Sequence, residues 1–387
     1  QIQRGVGTST NGDGAFGGSI ALTTKNPSTK PTLEVTGSYG SYNTWNAGGQ
    51  FSTGLLWKHL IVNGAYHHTA TDGFMHGTQG KAGSYLGGLT WLGKDFVITY
   101  KNIGNYEHMG QAWNGVDTGD LLDGNYGTKT GLNTYADFWK AGLGQYNSLY
   151  EYMNDPYDPT AGTSRYTMND GSLWPKTTDN FWQNHNIRSV SANISQRWKT
   201  SASLHYTYGY GYYEEFKGSC KLSKFGIADM TLSDGSTLNN TDFVRKKGLD
   251  QHAMGFVWNT NYKDRISDIV GGLSAQTFKS NHFGHLNYIA NNELSAKLLH
   301  NGTYTYYDSD ASKGDLNVFI KATEHITPWF DAFADLQYRY VEYITNGKND
   351  KFYRNADGTY TNQRLDINET FHFFNPKVGV NFHTGGH

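Results

Sequence analysis

Cysteine is nearly absent: Cys220 stands alone in 387 residues, and proline numbers only seven. A single thiol excludes an intrachain disulfide and a cysteine-based zinc site. Charge is sparse too, at 17% of residues with a net charge of −2. That balance lacks the clustered basic excess of a nucleic-acid binder, so no nucleic acid is expected as a partner. No apolar run reaches the roughly 18 residues of a membrane-crossing helix, although a β-barrel hides its apolar residues by alternation and stays open as a reading. Neither G-x-S-x-G nor H-E-x-x-H occurs, and no enzyme is expected. The chain begins at Gln1 without a signal peptide, so it reads as a mature product or a piece of something longer.

What is abundant is aromatic and small: 28 Tyr, 20 Phe, 10 Trp and 47 Gly. So many aromatics with so few charges exclude disorder. The dominant pattern has a period of two. Ala202, Leu204, Tyr206, Tyr208, Tyr210 and Tyr212 alternate with Ser203, His205, Thr207, Gly209 and Gly211. Successive strand side chains point to opposite faces, so each such stretch has one bulky apolar face and one small polar face. Twelve segments of this kind lie at about 32–41, 43–53, 58–71, 83–93, 95–107, 184–198, 200–216, 249–263, 266–280, 306–326, 329–347 and 373–384. Many reach the roughly 9–11 residues that a tilted strand needs to cross a bilayer. Short links (54–57, Gly93–Lys94, Lys199, Asp264–Arg265, Pro328) alternate with long ones (72–82, 108–183, 217–248, 281–305, 348–372), the one exception being the short first outer link near Ser41–Tyr42.

Short turns on one side and long loops on the other predict an all-β, antiparallel transmembrane barrel. A soluble sandwich, the other reading, would need more charge on its outer faces. A Lys or Arg facing lipid at midplane costs about 2–4 kcal/mol, so the polar parity should face the lumen. Arg197, His205, Lys321, Asp331, Asp335 and Arg339 share that parity. Trp198, Tyr212, Trp258 and Tyr340 suit interfacial girdles.

Residues 1–30 differ from the rest. Gln3-Arg4-Gly5, Ser9-Thr10-Asn11-Gly12 and Ala15-Phe16-Gly17-Gly18-Ser19-Ile20 resemble the end of the plug domain of TonB-dependent outer-membrane receptors. Tyr39-Gly40-Ser41-Tyr42-Asn43-Thr44-Trp45 resembles that family's first barrel hairpin. Gln111-Ala112-Trp113-Asn114-Gly115-Val116 and Phe374-Asn375-Pro376-Lys377-Val378-Gly379 resemble receptors of Bacteroidetes type. The resemblance implies residues 1–30 as the end of the plug and 31–387 as the first part of a barrel, about 12 of an expected 22 strands. It places the chain in the outer membrane of a Gram-negative bacterium, surrounded by lipid. It implies TonB-dependent active transport of a scarce extracellular small ligand, an iron chelate (siderophore) or haem being favoured, driven by the TonB-ExbB-ExbD system. A surface lipoprotein is a further partner among glycan-importing relatives. No cofactor is implied. The alternative is a smaller closed barrel serving as a porin, adhesin or surface anchor.

The aromatic-rich 108–183 loop is the candidate ligand surface, with Trp113, Asn114, Trp139 and Tyr150 joined by His76 and His108. Loops longer than about 15 residues are usually functional or disordered. The competing reading is a loop whose aromatics form its own small core. Adjacent His67 and His68 should point to opposite faces, and no histidine spacing fixes a metal. Asp117, Asp120 and Asp123 lack a calcium-loop pattern. Asp331 and Asp335 are about 13–14 Å apart along one strand face, too far for a carboxylate dyad.

Overall fold

The computed structural model describes residues 2–4, 18–20, 24–113, 134–155 and 158–383. Twelve strands form one antiparallel meander in which each strand pairs with the next in sequence. They are β1 (Pro31–Gly40), β2 (Thr44–Thr53), β3 (Leu60–Thr71), β4 (Gly80–Leu92), β5 (Phe96–Gly110), β6 (Thr178–Asn193), β7 (Trp198–Lys221), β8 (Asn240–Lys263), β9 (Ser267–Ile289), β10 (Tyr304–Thr327), β11 (Phe330–Arg354) and β12 (Tyr360–Phe382). No helix among the described residues is long and apolar enough to cross a membrane.

The period of two holds in register across the sheet. Leu60, Trp91, Ile98, Val190, Ala202, Trp258, Leu273, Val318, Tyr338 and Phe374 are successive cross-strand partners from β3 to β12. The adjacent row on the opposite face runs Thr90, Thr99, Ser189, Ser203, Val257, Ser274, Asn317 and Arg339. Burial is inverted relative to a soluble protein. Ile320 is 51% and Leu33 78% exposed, whereas Asn317 is 0% and Asp335 2% exposed. Side chains crowd on the inside of a curved sheet and splay on its outside. The polar face is therefore the inner one, and the apolar face meets a solvent that is not water.

Strands β7–β12 run 23–25 residues, more than twice the bilayer requirement. Their upper ends are covered by loop residues. One cluster buries Leu222, Phe225, Phe243, Leu286, Ile289, Leu294 and Tyr306. It includes the short helix α1 (Asn292–Leu298), whose first turn is capped by the Asn291 side chain accepting from the Leu294 amide. A second cluster packs Trp174 against Phe216 and Val244.

This covering moves the boundaries read from sequence. The expected 217–248 link contracts to 222–239, and the expected 348–372 link to a turn at 355–359. At the top of β7 and β8 both faces are buried, as at Glu215 and Phe216 and at Phe243 and Val244, so alternation fades there although pairing continues. The expected strand 184–198 runs instead from Thr178 to Asn193, which places Arg197 in the following turn.

That turn side also holds Asp264. Its carboxylate accepts from Tyr262 Oη at 2.7 Å and from the amides of Ile266 (2.8 Å) and Ser267 (2.9 Å). These bonds, the tyrosine's foremost, draw its pKa down to about 2. A depressed carboxylate stabilises fully above its unfolded pKa of about 3.9, and the effect fades as pH falls toward 2. Asp264→Ala should therefore lower resistance to urea at pH 7 and do so much less at pH 2, as measured by unfolding curves at both values.

One patch breaks the apolar face. Asn102, Asn184, Asn186 and Arg188 share the parity of Ile98 and Val190. The amides bond to one another (Asn102 Nδ2 to Asn184 and Asn186 Oδ1, each 3.1 Å), to Tyr100 Oη (2.9 Å) and to Tyr85 Oη (2.7 Å). The Arg188 side chain makes no hydrogen bond or ion pair among the described residues, and its guanidinium lies 5.9 Å from the Tyr100 ring.

Candidate functional site

The densest polar constellation lies on the inner face where β7, β8, β10 and β11 rise above the expected bilayer. Glu215 pairs in register with Arg245, and Tyr213 with Lys247. Glu215 is fully buried; it accepts from Arg245 Nε at 2.8 Å and forms an ion pair with Lys217. Burial works against the Arg245 charge, but Glu215 together with Tyr213 outweighs it and holds the guanidinium above its usual pKa. Lys247 reaches Asp350 at 2.7 Å. Thus three cations meet two carboxylates.

Rings line the same place. The Arg245 guanidinium lies 5.7 Å from the Tyr213 ring, and the Lys247 ammonium 5.4 Å from the Tyr307 ring. Trp113 meets Tyr213 edge-on at 5.3 Å. The Tyr307 ring lies across Gly284, where any Cβ would collide with it. Burial, followed by Asp350, raises the Tyr307 phenol well above its ordinary pKa, so it stays protonated and able to donate. Fixed cations beside aromatic faces suit an anionic, aromatic ligand.

The residues singled out from sequence fall in three places. Trp113, 46% exposed, belongs to this constellation; Asn114, Asp117, Asp120 and Asp123 lie outside the described residues. His76, Tyr150 and Trp139 belong to a loop assembly at the rim. His76 Nδ1 bonds Glu151 at 2.8 Å, Arg165 covers Tyr150 with its guanidinium 3.5 Å from the ring, and Trp139 stacks on Phe74. The described residues of 134–177 dock there through Gln145 Nε2 to the Phe74 carbonyl (2.5 Å) and Asn147 Nδ2 to the His76 carbonyl (2.7 Å). Gly77, at φ +73°, brings the backbone against the Tyr150 ring where a side chain would clash. The loop does build its own core, with Phe138, Leu143 and Tyr146 buried, while Trp139 and Tyr135 stay exposed.

His108 lies on the apolar face, bonded to Asn180. His68, on that face too, bonds Tyr106 Oη at 2.7 Å, whereas the His67 ring lies against Gly48. His205, Asp331, Asp335 and Arg339 sit on the inner face. The His205 ring lies against Gly255. Asp331 is held by His325 (2.8 Å) and His383 (2.6 Å), and Arg339 Nε bonds both Asp315 oxygens at 3.1 Å. Arg245, Lys247, Tyr213 and Tyr307 escaped the sequence reading. The signal was there: Glu214-Glu215 and Arg245-Lys246-Lys247 are opposite in charge and face each other across one extended hairpin.

This architecture matches solved import receptors. The ferric-catecholate import receptor Fiu from E. coli K12 superposes with a TM-score of 0.66 at 13% identity, over 99% of this chain and 57% of that one. The siderophore receptor PiuA from Acinetobacter baumannii gives 0.62 at 12%, over 98% and 51%. The ferric yersiniabactin uptake receptor FyuA from Yersinia pestis gives 0.59 at 13%, over 98% and 48%. The chain thus spans about half the length of these receptors, and at such identities the likeness is one of fold. No protein-family model and no curated protein matches the sequence.

Proposed function

We propose that the chain forms barrel wall in a TonB-dependent receptor of the outer membrane that imports an anionic iron chelate. The carrying observation is the Arg245–Lys247–Tyr213–Tyr307–Trp113 constellation on the inner face of a fold shared with siderophore receptors. Cations and phenol rings favour a siderophore of catecholate type over haem. Residues 1–30 serve as the end of the plug in this reading. It is supported by Thr24, which meets Lys101 on the inner face of β5, and by Ser28, whose carbonyl accepts from Ser52 Oγ at 2.7 Å. Residues 31–387 supply strands of a larger wall. Among the described residues β1 and β12 each leave one edge unpaired, and unpaired backbone groups are not tolerated in lipid. A closed wall of about 22 strands pairs both edges and leaves room for a plug. TonB, powered through ExbB and ExbD, would act on that plug.

The test is uptake of a radiolabelled ferric tricatecholate by cells expressing the whole receptor. Uptake should stop when TonB is deleted. Continued uptake without TonB would overturn the energy-coupled reading in favour of a passive pore.

A further inference from the structure

The upper ends of β4–β6 carry a second cationic site, on the opposite face from the ligand constellation. Lys81, His108 and Asn180 are cross-strand partners on the apolar face. One row below them on that face lie Gly83, Tyr106, Trp182 and Tyr210. His108 stands twelve residues above Phe96, the lower end of β5. That is about 40 Å along the strand, or about 30 Å of height at a tilt of about 40°. The row therefore sits at the outer edge of the apolar band, just above an aromatic girdle.

A loop adds a second lysine. Lys176 donates to the Gln79 carbonyl at 2.7 Å, which sets its ammonium near Lys81. Burial, and then the Lys81 charge, lower the Lys176 pKa. Neither lysine meets a carboxylate among the described residues. The acids next in sequence, Glu107 and Asp179, are on the inner-face parity. Two ammonium groups held together without a counter-ion favour an anion with several oxygens. Below the site on the same face, β4 carries Tyr85, Leu89 and Trp91 beside the asparagine patch of β5 and β6, and acyl chains would lie along that β4 column.

We infer that Lys81, Lys176 and His108 bind the phosphate of an outer-leaflet lipid headgroup, its acyl chains running down the apolar column of β4. The occupant is a membrane lipid because the cations stand above a girdle and an apolar strip rather than in an aqueous cleft. The experiment titrates the purified full-length protein in non-ionic micelles with diphosphorylated lipid A and with the same lipid after dephosphorylation. Lipid A should bind at least tenfold more tightly than its dephosphorylated form. Lys81→Gln/Lys176→Gln should erase that difference, with folding checked by heat-modifiable gel mobility. Equal binding of the two lipids by the unmodified protein would overturn the site, whether or not the variant folds. So would an unchanged preference in a folded variant. Displacement of lipid A by inorganic phosphate at equal concentration would make this a free-anion site and overturn the lipid assignment.

Discussion

Replacing Arg245 and Lys247 together by glutamine is expected to weaken ferric-tricatecholate binding by two orders of magnitude or more. A hydrogen bond to a charged group contributes about 1.5–3 kcal/mol. Losing two such contacts removes at least about 3 kcal/mol, which is about a hundredfold in affinity. Glutamine keeps most of the side-chain volume and a donor, so the change reports charge. The two positions are not equivalent. Lys247 and its partner Asp350 are partly open, with side chains 23% and 46% exposed. Lys247→Gln alone should lower affinity by about a decade or more without altering unfolding. Arg245 also neutralises the buried Glu215, whose other cation is Lys217. Removing one partner of a buried pair costs about 3–5 kcal/mol of stability. Arg245→Gln should therefore destabilise the outer ends of β7 and β8, and Glu215→Gln in the same chain should restore much of that stability without restoring ligand affinity. Calorimetric titration alongside unfolding curves separates the two effects. Unchanged affinity in Lys247→Gln and in the double variant would show that the ligand binds elsewhere.

The architecture was legible because one rule governs most of the chain. Between the girdles each side chain faces either lipid or lumen, so alternation alone locates the strands. The parity that separated Leu204 and Tyr206 from Ser203 and His205 is the register that pairs Leu204 with Phe256 and Ser203 with Val257. The rule ends where the bilayer ends. Phe216 and Glu215 are neighbours and both are buried, one among Trp174 and Val244 and the other against Arg245. Alternation of apolar and polar weakens there, so the upper parts of β8, β9 and β12 and the last residues of β7 and β11 read as loops, whereas β10 reads as strand almost throughout. The ligand constellation falls in that same zone. Its residues lie on four strands and meet only through register, so no spacing along the chain announces them. Of the aromatic candidates in the 108–183 loop, Trp113 reaches that constellation, whereas Trp139 and Tyr150 belong to the rim assembly. Loop aromatics are chosen equally for self-packing and for ligand contact, and composition alone does not separate the two.

Arg188 presents the opposite case, a residue whose parity is clear and whose chemistry disagrees with it. Its register row reads Leu89, Tyr100, Arg188, Leu204, Phe256, Ala275, Leu316 and Tyr340. It stands five residues above Asn193, the lower end of β6. That is about 17 Å along the strand, well inside an apolar band about 25 Å tall. The neighbouring asparagines satisfy one another, but the guanidinium has only the Tyr100 ring, 5.9 Å away. An arginine exposed to lipid at this depth costs about 2–4 kcal/mol. Arg188→Leu is therefore expected to stabilise the folded protein by about that amount. Leu204→Arg, its mirror on the adjoining strand, should destabilise by as much. The measurement is reversible urea unfolding of the full protein in phospholipid vesicles, followed by tryptophan fluorescence. A gain in Arg188→Leu together with a loss in Leu204→Arg fixes the apolar face as the lipid face. A loss in both would mean that Arg188 meets a polar partner inside the membrane, and that the asparagine cluster beside it is part of that contact rather than a tolerated exception.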